Sequence, residues 1–376
     1  MLWGFPDARA LAEGQQPARL RVEPGFAAAL ARAGGALAMT AAPGGLFLLG
    51  PPGDGEPPGF AFLPLDHTWG LAAAPQRIAV ATAREIVVLA NTPKVAASHP
   101  DRPDHFDAVF SPRLSFFTGD CLLHDMAITR QGLLASNTRF STVAQIDGHW
   151  NFDPVWQPPF ITAVLPEDRC HLNGIAVEDG VLRYVTAFGI CDTARGWREA
   201  PLEAGVVLDV QAGGRVLRGG LYLPHSPRLV DGRLLVAEAG RGCLLEIDRQ
   251  SGAARQIAAL PGFTRGIAAG GGVIFVGLSR IRGSARNKLL PLATGAASLI
   301  AGIAAVEAAS GAVLGFLHIE GPPREVFDLA LLPGIRRAAL ADGRTPDSLY
   351  AVDSRAGCYW MRVEGSARTA SPSPKA

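Results

Sequence analysis

Four of the eight histidines in this 376-residue chain sit in similar surroundings. The surroundings are Asp66-His67-Thr68-Trp69-Gly70-Leu71-Ala72, Leu123-His124-Asp125-Met126-Ala127-Ile128, Cys170-His171-Leu172-Asn173-Gly174-Ile175-Ala176 and Pro224-His225-Ser226-Pro227-Arg228-Leu229. Two looser copies, Thr264-Arg265-Gly266-Ile267-Ala268 and Phe327-Asp328-Leu329-Ala330-Leu331, carry an arginine and an aspartate instead. Neutral imidazoles brought to one point are ligands for a transition metal such as iron, copper or zinc. His124, His171 and His225 form the core of that expected set, with His67 as a fourth member. A metal with open positions would activate dioxygen if it were iron or copper, or acidify bound water if it were zinc. The structural alternative is that each imidazole closes its strand by bonding a neighbouring carbonyl.

Charged groups lie beside these histidines. Asp125 follows His124 and is a candidate ligand, orienting partner or general base, although strand alternation sends the two side chains to opposite faces. Asp328 is the candidate axial carboxylate for moving protons. Arg265 would hold a substrate carboxylate through two parallel hydrogen bonds, or else pair with Asp328. Asn173, two residues past His171, shares its strand face and lines the site one step deeper. Arg139 and Arg228 are further candidate substrate contacts, with ion pairs between blades as their alternative.

Residues so distant in sequence meet only if a repeated element positions them. Taking His67, His124, His171, His225, Arg265 and Asp328 as markers gives steps of 57, 47, 54, 40 and 63 residues, near the period of a propeller blade. Each unit reads as a marker strand followed by three more strands, and the first strand of a blade lines the central axis. Forty-four glycines and 29 prolines supply the many tight turns such a fold needs. The sixth marker lacks following strands, whereas three surplus strands precede the first one, within residues 36 to 65. Pairing these sets predicts an all-β, six-bladed β-propeller closed by N-terminal strands that complete the last blade. The expected organisation is residues 1–35 as an extension with a short helix, 36–335 as the propeller, and 336–376 as a C-terminal extension with a disordered tail. Insertions at 187–203 and at 281 to about 300, the latter with Arg282, Arg286, Asn287 and Lys288, are expected near one mouth.

Composition narrows the partners. A net charge of +1 without basic runs argues against nucleic acid and against an anionic membrane surface. Five cysteines without CxxC spacing suit a reducing compartment, and the start lacks a signal-peptide pattern, so a cytoplasmic protein is expected. No GxSxG, Walker or Rossmann fingerprint appears in its proper setting.

Several stretches resemble an uncharacterised bacterial family of conserved hypothetical propeller-like proteins. They are Thr118-Gly119-Asp120 to His124, Asn137-Thr138-Arg139-Phe140, Pro158-Pro159-Phe160-Ile161, Pro166 to Gly174, Pro224-His225-Ser226-Pro227-Arg228 and Leu260 to Gly266. The resemblance spans about residues 36 to 335. It implies a cytoplasmic propeller in which His124, His171, His225, Arg265 and Asp328 match the family pattern, and it brings no established activity. Gluconolactonase-like and strictosidine-synthase-like six-bladed propellers are a looser analogy, of fold alone.

These readings lead to an expected metal-dependent enzyme with oxidative chemistry on a small anionic molecule or peptide. A hydrolase, lactonase or lyase is the runner-up. A non-catalytic propeller that binds protein or peptide is the alternative from another class.

Overall fold

The computed structural model describes residues 2–4, 19–42, 44–53, 58–280, 286–294, 299–321, 325–343 and 348–363. Short apolar runs broken by glycine form six antiparallel sheets around one axis. Blade one runs outward through Leu71–Ala74, Arg77–Ala81, Glu85–Asn91 and Ala108–Phe117. Blade two is Leu123–Thr129, Gly132–Asn137, Thr142–Ile146 and Asp153–Trp156, and blade three Leu172–Glu178, Val181–Ala187, Gly205–Asp209 and Arg215–Leu221. Blade four is Pro224–Val230, Arg233–Glu238, Cys243–Ile247 and Ala254–Ala259, and blade five Phe263–Gly270, Val273–Ser279, Gly302–Glu307 and Val313–Glu320. Blade six takes only its inner strand, Glu325–Pro333, from late in the chain; Gly35–Ala42, Gly44–Leu49 and Phe60–Leu65 complete it. The closure expected from the surplus strands is therefore the observed one, and it leaves the ring without an open seam.

The flanking segments extend two blades. Arg19–Val22 pairs with Val313–Glu320 and carries blade five outward, and the helix Pro24–Ala33 buries Phe26 and Leu30 against it. Ala338–Leu340 runs parallel to Ala108–Phe110 at the rim of blade one. The tail from residue 366 and Arg282 lie outside the described residues.

Strand pairing fixes which inner residues are equivalent. The registers align Trp69-Gly70-Leu71-Ala72, His124-Asp125-Met126-Ala127, Asn173-Gly174-Ile175-Ala176, His225-Ser226-Pro227-Arg228, Arg265-Gly266-Ile267-Ala268 and Phe327-Asp328-Leu329-Ala330, one per blade. The second row alternates glycine with Asp125, Ser226 and Asp328, and the ring packs accordingly. A Cβ on Gly70 would come within 2.8 Å of the Asp125 backbone nitrogen, and one on Gly266 within 2.8 Å of Asp328 Cα. Odd blades thus press bare backbone onto even blades. The even blades reply with acceptors: Asp125 takes the Ile175 amide at 3.0 Å, Ser226 the Gly266 amide at 2.9 Å, and Asp328 the Leu71 amide at 3.2 Å. Gly70→Ala is expected to cost about 1 to 3 kcal/mol, because the obstruction is backbone that cannot rotate away. Thermal unfolding of the variant would measure this.

In the fourth row, five blades have alanine and blade four has Arg228. Its guanidinium bonds Asp125 through both nitrogens, at 2.8 and 2.9 Å, and Asp328 at 3.0 Å. One cation shared by two carboxylates is neutral only when the group holds one extra proton. Burial opposes the Arg228 charge, but the two carboxylates more than offset it and hold the guanidinium firmly protonated. Burial also raises Asp328, from the ordinary 3.8 up to about 7; Arg228 opposes this and the neighbouring Asp125 adds to it. The folded protein keeps that proton over a pH range where the unfolded chain has released it. Stability from this carboxyl is complete below about pH 4 and is lost as the pH rises through about 7. The expected result is a urea midpoint that falls between pH 5 and pH 7.5, with the fall flattened in Asp328→Asn.

Candidate functional site

The first row of the aligned motifs forms the mouth: Trp69, His124, Asn173, His225, Arg265 and Phe327. Aromatic packing runs round it. Trp69 meets His124 edge-on at 5.0 Å and Phe327 at 4.9 Å, and Arg265 stands 3.9 Å over the Phe327 ring. Asn173 is buried, and its Nδ2 has no hydrogen-bond partner among the described residues. A buried donor left unmet is costly.

His171 belongs to a different level. In register it matches Leu122 and Leu223, two residues before His124 and His225, and all three of these earlier positions have positive φ, at 49°, 52° and 52°. This left-handed turn lifts the His171 ring out of the strand row and toward the insertion at 187–203. There it packs, tilted, with ring centroids 4.4 Å from Phe188 and 4.3 Å from Trp197, and His124 lies 5.1 Å away. Phe188 also contacts His225 at 5.1 Å, so an aromatic arc joins the three imidazoles.

Each of these histidines is anchored through Nδ1. His225 bonds the Leu223 carbonyl at 2.8 Å, which can only accept, so Nδ1 carries the hydrogen. His124 Nδ1 bonds the Thr138 hydroxyl at 2.6 Å; that hydroxyl donates to the Leu172 carbonyl and so accepts from the ring. His171 Nδ1 lies 3.0 and 3.1 Å from the two oxygens of Asp168. Trp197 Nε1 donates to the same carboxylate at 2.9 Å. In the neutral rings this leaves the lone pair on Nε2. Asp168, Phe188 and Trp197 were missed as site residues by sequence reasoning, although an aspartate three residues before His171 was a usable signal.

Two insertions close over this end. Glu167 and Asp192 both hold Arg169, at 2.8 and 2.6 Å, and Arg286 donates to the carbonyls of Arg198 at 2.7 Å and Ala200 at 2.8 Å. The short turn Asn287–Leu289 and the helix Pro291–Thr294 follow, with Leu290 fully buried against Ala239 and Phe263. Burial pushes the Cys121 and Cys243 thiols up to about 11 and Cys170 up to about 12, so these three stay protonated at neutral pH.

Several expected members stand elsewhere. His67 is more than half exposed in the turn before blade one and pairs with Asp66; Trp69 takes its place in the mouth row. Arg139 pairs with Asp120 at the surface of blade two. Arg228 is engaged by Asp125 and Asp328 below the mouth, and those carboxylates are in turn engaged by backbone amides. Asp328, the ion-pair partner considered as the alternative for Arg265, is paired with Arg228. Asn173 and Arg265 lie in the mouth row. Among the described residues, no group of three His, Cys, Asp or Glu side chains is close enough to hold a metal ion. The three histidines are neighbours in an aromatic arc instead, because His171 sits one level away.

A ring of six four-stranded blades with its residue-lined axis defines a six-bladed β-propeller. Residues 24–340 match the profile of a domain of unknown function, DUF4915, and the chain belongs to that family. No curated protein sequence matches it. A chain from the nidogen/laminin complex is similar in structure at a TM-score of 0.53 and 13% identity, over 80% of this chain and 99% of that one. A putative gluconolactonase reaches 0.45 at 14% identity, over 72% and 87%, and a streptogramin B lyase 0.35 at 12%, over 81% and 85%. At 13% identity the likeness to the nidogen/laminin chain is one of fold alone. No helix among the described residues is long and apolar enough to cross a membrane.

Proposed function

We propose that the axial mouth is the active site of an enzyme that moves a proton on a small organic anion, in the manner of a lyase or hydrolase. His171 is the general acid–base. Asp168 fixes its tautomer and would stabilise the imidazolium formed when Nε2 takes a proton. Asn173 Nδ2 and Arg265 hold the substrate oxygens, and Trp69, Phe188, Trp197 and Phe327 exclude water from the reacting atoms. The observation that carries this reading is the anchoring of His171 Nδ1 by a buried carboxylate that also accepts from Trp197.

Ligand binding is tested first at Asn173. Asn173→Leu replaces an unmet buried donor with an apolar group of similar size, so it is expected to leave the melting temperature unchanged or a few degrees higher. The same change is expected to abolish the thermal shift produced by small carboxylates. A stabilising effect of those ligands that persists in Asn173→Leu sinks the assignment of this residue.

The Nδ1 anchoring favours a second reading, since it is also the arrangement that orients imidazoles toward a metal. His124, His225 and His171 would then be the residues to hold iron, copper or zinc, and the metal would supply Lewis acidity or redox chemistry. Elemental analysis of purified wild-type protein and His225→Ala separates the readings. A stoichiometric metal lost on substitution favours the second.

A further inference from the structure

An acid–base role for His171 needs the ring and its carboxylate in one fixed geometry, yet the turn that carries both lies ahead of the strands. Regular pairing on blade three begins at Leu172, opposite Ala187. Asp168, Arg169, Cys170 and His171 precede it, and both ends of this turn are left-handed, with φ of 48° at Asp168 and 49° at His171. Its backbone is held from two sides. Toward blade two, the Asp168 amide donates to the Arg139 carbonyl at 2.8 Å and the Arg169 amide to the Ser141 hydroxyl at 3.1 Å. On the other side, the insertion at 187–203 gives the amides of Arg195, Trp197 and Phe188 to the carbonyls of Glu167 at 2.9 Å, Arg169 at 3.2 Å and Cys170 at 3.0 Å. The insertion thus runs along the turn and brings the Trp197 indole to Asp168.

One arginine clamps the two together. The Arg169 side chain, only 11% exposed, donates through Nε to Glu167 at 2.8 Å and through Nη1 to Asp192 at 2.6 Å. Asp192 also accepts the Thr162 amide at 3.1 Å and the Thr162 hydroxyl at 2.6 Å, so it ties the insertion to the loop after blade two as well as to the turn. A planar guanidinium bonded to two carboxylates is a directional connection. Its position gives it leverage, because Arg169 adjoins Asp168 and Asp192 stands five residues before Trp197. A slip of about 1 Å between insertion and turn would carry the Trp197–Asp168 bond beyond hydrogen-bonding length.

We propose that Asp192 is a positioning residue of the acid–base site: through Arg169 it holds the insertion on the turn, so that Trp197 and Asp168 keep His171 in the tautomer with a bare Nε2. This rests on the acid–base reading of the mouth. It extends the machinery to a residue that acts on His171 only through other groups.

The test uses full-length protein labelled with 15N at histidine, in which protonated and bare ring nitrogens have well-separated shifts; His171→Phe identifies the His171 signals. Wild type at a pH where the ring is neutral is expected to show Nδ1 protonated, and Asp192→Ala a mixture of both tautomers. In D2O, exchange of α-hydrogens from the most reactive small carboxylic acid should fall about tenfold in Asp192→Ala, in kcat rather than in KM. Asp192→Asn keeps an acceptor oxygen for the Thr162 amide and Arg169, and should recover most of both effects. Thr162→Val removes one bond to Asp192 and should move both readouts in the same direction by less, which serves where Asp192→Ala does not fold. Arg255→Ala, at an exposed pair with Glu246 on blade four, should match wild type. All spectra are taken well below each melting midpoint, measured by circular dichroism. A His171 tautomer that stays as in wild type in Asp192→Ala and Thr162→Val overturns the proposal whatever the exchange rate does, and so does a wild type with Nε2 protonated. Tautomer mixing in the variants beside a wild type that exchanges none of the acids upholds the clamp and counts against the acid–base reading instead.

Discussion

Replacing Arg228 with methionine is expected to lower stability by about 3 kcal/mol, the lower end of the range for removing one partner of a buried ion pair, since one-fifth of its side chain reaches solvent. Asp125 and Asp328 would be left beside one another, 3% and 1% exposed, with no cation between them. The ring would respond by keeping a proton on the pair, so the loss should deepen as the pH rises from 5.5 to 8. Urea unfolding at both pH values measures this. Because Asp125, Arg228 and Asp328 with their amide donors connect blades one, two, three, four and six, the steepness of the transition should fall as well. Combining Arg228→Met with Asp125→Asn and Asp328→Asn should recover part of the loss, since no unpaired charge then remains. A single Arg228→Met variant that unfolds like wild type at pH 8 would show that the triplet contributes little.

That triplet was only half legible in the sequence. The repeated polar marker followed by a short apolar strand shows six units, and the surplus strands before residue 66 show how the ring closes. These are local patterns of alternation and turns, which a linear reading can follow. The partners of Arg228 are about a hundred residues away on both sides, and only convergence at the axis joins them. The better clue was its column: arginine where the other five blades have alanine.

The histidines obscured the register. Aligning the units on imidazoles matched His171 with His124 and His225, whereas aligning them on Gly70, Asp125, Gly174, Ser226, Gly266 and Asp328 gives the pairing observed. The two alignments differ by two residues, which preserves strand face and so escapes any test based on alternation. What separates them is backbone conformation, the left-handed turn at His171, and φ cannot be read from a histidine as it can be guessed from a glycine. His67 was misplaced by the same shift of two.

The shift that sets His171 apart from the row of His124 and His225 gives it a carboxylate partner the other two lack, and the proposed acid–base role can be measured without knowing the natural substrate. Wild-type protein in D2O, offered a panel of small carboxylic acids with acidic α-hydrogens, is expected to exchange those hydrogens in at least one of them, as followed by proton NMR. His171→Phe keeps a ring between Phe188 and Trp197 but has no basic nitrogen, so exchange should fall by roughly 10² to 10⁴ while folding is retained. Asp168→Asn keeps an acceptor for Nδ1 but removes the charge that favours the imidazolium. It should slow exchange by about 10- to 100-fold and change the pH profile while leaving ligand affinity nearly intact, the separation expected of a positioning residue. Arg139→Ala, at a surface pair with Asp120, should match wild type. Exchange that survives His171→Phe would place the base elsewhere in the mouth, with His124 and His225 next in line. No exchange from the wild type across the whole panel would end the lyase form of the acid–base reading and leave the metal-centred one to be judged by elemental analysis.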